Sequence, residues 1–200
     1  MKILVATHNN GKLREYAEIL SDLAIEWLTL DDVGIADEIE ETGKTFEDNA
    51  RLKAAGYFER SGMITLADDS GLEVDALNGE PGVYLARYGG PGLDSVDRYN
   101  LLLKNMEGIP TEERTARFRC VIAIAAPGQD MVTDEGVREG LIAYEPHGSN
   151  GFGYDPVFWL PGYKMTLAEM ASEAKNQISH RALALKAIRP RLESLLKGQP

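Results

Sequence analysis

The sequence is short of cysteine, of basic residues and of long hydrophobic runs. Its single cysteine, Cys120, excludes a framework of disulfides within the chain. No stretch is long and apolar enough to predict a membrane-spanning helix, and the apolar run after Lys2 is too short for a secretory signal. Lys and Arg number 21 against 32 Asp and Glu, and the formal net charge of −11 argues against binding to a nucleic-acid backbone. We therefore expect a cytoplasmic protein without a membrane or nucleic-acid partner.

The apolar content is sufficient for one folded domain. With 200 residues, 44% hydrophobic and 26% charged, the composition predicts a single domain over residues 1–200, which could comprise two lobes. Cys120, inside the segment Phe-Arg-Cys-Val-Ile at 118–122, is predicted to be a small core residue on a strand. The glycine-rich stretch 89–92 is a candidate lobe connection or lid, with a surface turn as the alternative.

A polar segment at residues 7–12 separates an apolar run from a helical pattern. Residues 2–6 are typical of a buried strand, and residues 12–20 have apolar side chains at helical spacing. The start of a helix after a strand has unpaired amides and can bind a phosphate. An ordinary turn capped by Asn9 or Asn10 is the alternative, and the glycine spacing is not that of a P-loop. The candidate phosphate ligands are Thr7, His8, Asn9, Asn10, Gly11 and Lys12.

A second polar segment, residues 68–71, is predicted to end a buried strand over residues 63–67. Asp68 and Asp69 are adjacent carboxylates, which repel each other unless a cation lies beside them, and this favours a divalent metal. Ser70 adds a hydroxyl, and Gly71 would allow a sharp turn. An acidic turn in solvent is the alternative. Together, the two segments predict a site for a metal-bound phosphate.

A helix following Thr45, a predicted N-cap, contains a lysine within its apolar stripe. The stripe consists of Phe46, Ala50, Ala54 and Tyr57. Lys53 falls inside it, so its ammonium either extends along the core to solvent or reaches an anion in a cleft. Glu40 or Glu41, just before the helix, could bring a further carboxylate to a metal held by Asp69.

A glycine-rich segment at residues 150–156 is a candidate nucleotide-binding loop. Glycines beside an aromatic residue let the backbone approach a flat ligand, and Phe152 or Tyr154 could stack on a base that Asp155 contacts. A bulged hairpin is the alternative.

Two basic residues are predicted to open the last helix. Ser179 is a good N-cap, which places His180 and Arg181 in the first helical turn. Positive charge there opposes the helix dipole, so local stability does not explain these residues. Donors directed at a ligand would explain them.

Six motifs, in order along the chain, resemble those of the inosine triphosphate pyrophosphatase family in its bacterial form, the dITP/XTP pyrophosphatases. The motifs are Thr-x-Asn-x-Gly-Lys at 7–12, Glu-Thr-Gly-x-Thr-Phe-x-x-Asn-Ala at 41–50, Ala-Asp-Asp-Ser-Gly-Leu at 67–72, Pro-Gly-Val-Tyr-x-Ala-Arg-Tyr at 81–88, Gly-Phe-Gly-Tyr-Asp-Pro at 151–156 and Ser-His-Arg at 179–181. The resemblance covers essentially the whole chain. It leaves open the role of the loop 84–88, because Leu85 stands where bacterial relatives often have serine.

The resemblance implies both a fold and an activity. The implied fold is α/β, an elongated mixed central sheet with flanking helices and two lobes around a substrate cleft. The implied protein is a homodimeric, Mg²⁺-dependent enzyme that hydrolyses ITP, dITP and XTP to the monophosphate and pyrophosphate. The alternatives are a pyrophosphatase for other modified nucleotides and a nucleotide-binding module without turnover.

The resemblance also implies roles for particular residues. Residues 7–12 would bind the triphosphate, Ser70 would touch the substrate, and Asp69 would be both proton acceptor and metal ligand. On physical grounds, Mg²⁺, Lys12 and Lys53 would then balance the charge of the leaving pyrophosphate. The choice between Glu40 and Glu41 as the second metal ligand stays open. The residues implied to bind the nucleotide, the last two near its base, are Phe152, Gly153, Tyr154, Asp155, Lys175, His180 and Arg181.

Overall fold

A mixed β-sheet is the centre of the fold in a computed structural model, which describes residues 1–198. The strands are β1 (Lys2–Val5), β2 (Glu26–Leu28), β3 (Thr65–Val74), β4 (Pro81–Gly82), β5 (Thr115–Ala125), β6 (Val132–Ile142), β7 (Phe158–Leu160) and β8 (Met165–Thr166). Across the described residues the strand order is β2-β1-β3-β5-β6-β7-β8, and β4 pairs with β3. β1 is parallel to β2 and β3, whereas the pairs β3–β4, β6–β7 and β7–β8 are antiparallel. The predicted mixed α/β fold is confirmed.

Helices flank the sheet. They are α1 (Asn10–Ile19), α2 (Phe46–Ser61), α3 (Ser95–Asn105), α4 (Ser172–Ile178) and α5 (His180–Lys197). None of the described helices is long and apolar enough to span a membrane.

The chain divides into two units, each with its own core. The first unit contains Met1–Ser70, Cys120–Gly136 and the residues from His180 onward, and the second contains Gly71–Arg119 and Val137–Ser179. In the first unit, alternate residues of β1 and β5 pack against α1 and α5, and Cys120 is fully buried among them as predicted. The second core includes residues of β3, α3, β5 and β7. The stretch 89–92 lies inside the second unit as a turn, so it does not connect the units.

The helices predicted from capping and periodicity are present. α2 starts after Thr45, whose side chain accepts a hydrogen bond from Asp48 N while Asp48 bonds back to Thr45 N, and Phe46 is buried as predicted. α5 starts at His180, directly after the extended residue Ser179. His180 and Arg181 therefore lie in its first turn, as predicted.

The prediction that a strand ends at residue 67 is wrong. β3 continues to Val74, so Asp68, Asp69 and Ser70 lie inside a ten-residue strand. The physical reason is that Leu72 and Val74 resume the alternating apolar pattern and are both fully buried. The sharp turn expected at Gly71 is accordingly absent from the described structure, in which Gly71 is part of β3.

Gly136 of β6 allows this strand to approach the backbone of α5, and we expect Gly136→Ala to destabilise the protein. A Cβ there would lie 2.2 Å from both Ala184 N and His180 O, and helix backbone cannot move away cheaply. We expect a loss of about 1–3 kcal/mol in the free energy of unfolding, measured by urea denaturation. Gly162→Ala is the control, because a Cβ at Gly162 meets no atom within 4 Å. Equal stability of the two variants would contradict the close approach.

Candidate functional site

Residues 7–12 meet the acidic part of β3 because β1 ends early. Val5, the last residue of β1, is level with Leu66, and β3 continues past this point. The side chain of Lys12, in the first turn of α1, reaches β3, and its Nζ lies 2.8 Å from Oδ2 of Asp68. The predicted proximity of the two polar segments is confirmed.

Asn9 caps α1, as one of the predicted alternatives had it. Its side chain accepts hydrogen bonds from Gly11 N at 2.9 Å and Lys12 N at 3.2 Å. These amides are therefore already bonded, and a phosphate at this turn would meet side chains and the Lys12 ammonium instead. In the same turn His8 and Asn10 are exposed, and Thr7 is partly buried.

The two adjacent carboxylates of β3 point in opposite directions, because successive side chains of a strand lie on opposite faces. Asp68 contacts Lys12 of α1, whereas Asp69 accepts a hydrogen bond from Asn49 of α2 at 3.1 Å. The two acids thus have separate partners. A cation lies beside each of them, Lys12 beside Asp68 and Lys53 beside Asp69, so the adjacent charges are stabilised by lysine ammoniums and do not by themselves call for a metal.

Asp68 lies in a buried ion-pair network with Arg181. Nη2 of Arg181 is 3.6 Å from Oδ2 of Asp68 and 3.2 Å from Oγ of Ser70, and Nη1 is 2.5 Å from Oε2 of Glu15. Burial alone would raise the pKa of Asp68, but the nearby cations, Lys12 foremost, outweigh it and hold this pKa below its ordinary value. Asp68 is therefore an anion that the fold stabilises.

Arg181 is only 1% exposed, and His180 beside it is also buried. The prediction placed both side chains near a base. Since the guanidinium of Arg181 bonds Glu15 and Ser70, its first role in this structure is to neutralise acids of its own unit.

Asp69 has the opposite electrostatic environment. Burial raises its pKa, and the neighbouring carboxylate of Glu41 raises it further, while Lys53 and the hydrogen bond from Asn49 lower it; the net direction is upward. A carboxylate with a raised pKa is a better proton acceptor than an ordinary one. The adjacent acids therefore differ in their suitability as a base, and Asp69 is the suitable one.

Lys53 reaches an anion, as one of the two predicted alternatives stated. Its Nζ donates to Oε1 of Glu41 at 2.6 Å and lies 3.5 Å from Oδ1 of Asp69. Burial lowers the pKa of Lys53, but the surrounding carboxylates, Asp69 foremost, outweigh this, and the pKa lies above its ordinary value. Lys53 is therefore a charged ammonium beside Asp69.

The two candidate metal ligands Glu40 and Glu41 have different environments in the structure. Glu41 is partly buried and bonded to Lys53 beside Asp69, whereas Glu40 is exposed. Among residues 1–198 no group of three or more His, Cys, Asp or Glu side chains is placed to hold a metal ion. Glu41 and Asp69 alone would fit Mg²⁺, which prefers oxygen ligands and is commonly held by one or two carboxylates together with substrate phosphates.

The predicted nucleotide-binding loop forms a second group, inside the second unit. Asp155 Oδ2 accepts from Lys175 Nζ at 2.6 Å and from Phe152 N at 2.9 Å, and Lys175 Nζ lies 4.7 Å from the centroid of the Phe152 ring. Gly151 and Gly153 adopt positive φ, which the loop needs to turn. Tyr154 is buried and donates to Leu85 O at 3.4 Å, so its ring is not a stacking surface.

Sequence reasoning assigned no role to Asn49 or Glu15. Asn49 belongs to a recognised motif and directly precedes Ala50 of the apolar stripe, and this position was the available signal; the structure shows that its amide is fully buried, as amides with specific partners are. Glu15 is three residues after Lys12 on α1, so the two side chains share a face of the helix. That spacing could have linked Glu15 to the same site.

Comparisons with known proteins agree with the motifs. A model of the Ham1 family matches residues 3–191. The dITP/XTP pyrophosphatase of Bacillus licheniformis is 50% identical over 94% of this chain and 95% of its own, and that of Bacillus subtilis is 47% identical over 96% of each. A solved HAM1 protein from Coxiella burnetii is 40% identical, with a TM-score of 0.88 over 97% of this chain and 99% of its own.

Replacing Asp68 by Asn tests the buried network. The change keeps the volume but leaves Lys12 and Arg181 without the carboxylate charge, so we expect a loss of about 3–5 kcal/mol in the free energy of unfolding near neutral pH. Because folding lowers the pKa of Asp68, its stabilisation is present above the unfolded-state pKa of about 4 and declines as pH falls below it. The variant and the parent should therefore converge in acid.

Asp22→Asn is the matched control. Asp22 pairs with Arg189 at the surface, where ion pairs contribute little, so we expect unchanged stability. Chemical denaturation from neutral to acidic pH measures both. An Asp68→Asn protein as stable as Asp22→Asn would contradict the network.

Proposed function

The chain belongs to the Ham1 family, and we propose that it hydrolyses deaminated purine nucleoside triphosphates such as ITP, dITP and XTP to the nucleoside monophosphate and pyrophosphate. The observation that best supports this chemistry is the environment of Asp69, a buried acid with a raised pKa beside a charged lysine. A base and a cation at one place are what attack of water on a phosphate requires.

Asp69 is the proton acceptor in this proposal. Its carboxylate accepts a proton from water, the water oxygen forms a bond to the α-phosphorus, and the bond from that phosphorus to the bridging oxygen breaks. Pyrophosphate leaves with the electron pair of the broken bond. No covalent enzyme intermediate is needed.

Mg²⁺ is the proposed cofactor, with Asp69 and Glu41 as its protein ligands. When bound, the ion supplies positive charge to the phosphate oxygens as negative charge grows on them. Lys53 supports the choice of Glu41, because its ammonium already bridges Glu41 and Asp69 at 2.6 and 3.5 Å. The exposed Glu40 has no such link to Asp69 in the described structure.

Lys12 and the turn before it would bind the triphosphate. Thr7, His8 and Asn10 add polar side chains around the Lys12 ammonium, and Ser70 lies close by through its bond to Arg181. A phosphate at this turn would compete with Asp68 for the Lys12 ammonium. The second cation on Asp68, Arg181, keeps that carboxylate paired when Lys12 turns away.

Base recognition is assigned to His180 and Arg181 of the first unit, as the resemblance implies. The loop around Phe152 remains the proposed nucleotide-binding loop of the second unit. Phe152 is the partly exposed aromatic ring of that loop, and Asp155 and Lys175 fix it by the contacts described above. We further propose that the protein is cytoplasmic, as its composition predicts, and that it is a homodimer, as the family resemblance implies. Sedimentation of the purified protein would test the dimer.

Substitutions of Asp69, Glu41 and Glu40 test the proposed base and metal ligands. Asp69→Asn should reduce kcat/KM for ITP by about 10²–10⁴, because it removes the base and a metal ligand together. Glu41→Gln should reduce it at least about 10-fold and raise the Mg²⁺ concentration needed for activity. Glu40→Gln is the matched control and should behave as the parent. An active Asp69→Asn enzyme, or equal effects at positions 40 and 41, would contradict the assignment.

The second prediction concerns the base. Hypoxanthine and xanthine have a carbonyl oxygen at purine position 6, where adenine has an amino group. Donor side chains would therefore hydrogen-bond the first two bases and would face another donor in adenine. A site built on such a bond rejects the wrong base by up to about 10⁴ in kcat/KM, so ATP should be a very poor substrate beside ITP and XTP.

Arg181→Ala tests which residue provides this selectivity. We expect it to lose more activity on ITP than on ATP, measured as kcat/KM for ITP, XTP, GTP and ATP. Arg189→Ala, a change at the surface ion pair of α5, is the control. A variant that slows equally on every nucleotide would show that Arg181 acts only through Asp68 and Ser70.

A further inference from the structure

Asn49 is a fully buried amide whose two ends bond to two different parts of the proposed metal site. Its Oδ1 accepts a hydrogen bond from Gly43 N at 2.8 Å, and its Nδ2 donates to Oδ2 of Asp69 at 3.1 Å. Gly43 is two residues after Glu41. Asn49 therefore connects the segment that contains one proposed ligand with the side chain of the other.

Lys53 makes the corresponding connection one helical turn further along α2. Residues 49 and 53 are four apart and share a face of the helix, and both reach Asp69. Asn49 bonds one carboxylate oxygen of Asp69, while Lys53 lies nearest the other oxygen and bonds Glu41. The contacts form a closed ring through Asp69, Asn49, Gly43, Glu41 and Lys53.

The ring requires an amide at position 49. A backbone N–H needs an acceptor and a carboxylate needs a donor, and a neutral Asn side chain has both. Aspartate would have no donor and would add a charge against Asp69. The partners also fix which end of the amide faces which group.

The ring also requires glycine at position 43. A Cβ there would lie 2.5 Å from Oδ1 of Asn49 and 2.5 Å from Cβ of Asp48. Any larger residue would therefore push the segment 41–43 away from α2.

We propose that Asn49 is a positioning residue that sets the distance and orientation between Glu41 and Asp69 for metal binding. The inference rests on the proposed function, because it uses the two carboxylates assigned there to Mg²⁺. Both ends of the Asn49 amide are bonded to protein groups, so the proposed role is indirect. Loss of Asn49 should therefore weaken metal binding, because Glu41 and Asp69 would no longer be held at the right distance and orientation to bind one ion.

The test measures direct binding of Mn²⁺, a probe for Mg²⁺, to the purified protein. The concentration of free Mn²⁺ is determined by electron paramagnetic resonance. Hydrogen-bond partners of metal ligands typically contribute 10–100-fold to metal affinity, so Asn49→Ala should bind Mn²⁺ about 10–100-fold more weakly than the parent. Gly43→Ala should weaken binding from the other side of the ring. In turnover of ITP, both variants should need more Mg²⁺ for half-maximal rate.

Two control variants define the upper and lower limits of Mn²⁺ binding. Asn105→Ala removes an exposed amide that donates to Tyr88 in the second unit, and it should bind Mn²⁺ as the parent does. Asp69→Asn should abolish Mn²⁺ binding. Circular dichroism and Tm establish that each variant is folded, and Gly43→Ala supplies the answer if Asn49→Ala does not fold.

Each outcome has a defined meaning. Unchanged Mn²⁺ affinity in a folded Asn49→Ala or Gly43→Ala protein overturns the inference, even if activity falls, because a purely structural role would do the same. Failure of the parent to bind Mn²⁺, or equal binding by Asp69→Asn, overturns it as well. A parent that binds Mn²⁺ as expected but leaves ITP intact overturns the proposed function and not the role of Asn49.

Discussion

The alternation of side chains along β3 is the constraint on which the site depends. Two acidic residues in sequence would repel each other if both faced one cavity, but a strand sends them to opposite faces. Asp68 then faces Lys12 and Arg181, and Asp69 faces α2. Two adjacent residues thereby differ in the direction of their pKa shift: the pKa of Asp68 is lowered and that of Asp69 is raised. A turn at the same four residues could not have separated them in this way.

Each of the two acids is paired with a lysine that approaches along a different helix. Lys12 belongs to α1 and Lys53 to α2, so the two ammoniums proposed to meet the phosphates reach β3 from opposite faces. The lysines differ in what else they hold. Lys53 is bonded to Glu41, a partner in the same proposed site, whereas Lys12 shares Asp68 with Arg181. Displacing Lys12 from its acid therefore leaves that acid paired.

The features predicted correctly from the sequence are those that local interactions determine. Thr45 and Asp48 bond within one helical turn, and the first turn of α5 follows from Ser179, so caps and periodicity were sufficient. The continuation of β3 was missed because residues 68–71 have good turn chemistry, and only tertiary burial of Leu72 and Val74 overrides it. The bond from Asn49 to Asp69 joins residues 20 apart and that from Arg181 to Glu15 joins residues 166 apart. No local pattern predicts such partners.

The distance along the chain between Glu15 and Arg181 has a consequence for how the protein is made. During translation, Glu15 and Asp68 leave the ribosome long before α5 does, and at roughly 5–20 residues per second the wait is several seconds or more. Until α5 docks, Glu15 and Asp68 both lack the Arg181 guanidinium, and Asp68 has only Lys12 beside it. A nascent or truncated chain without α5 would therefore keep this centre hydrated and open. The ion pairs of Arg181 with Glu15 and Asp68 can form only after α5 has been synthesised and has docked.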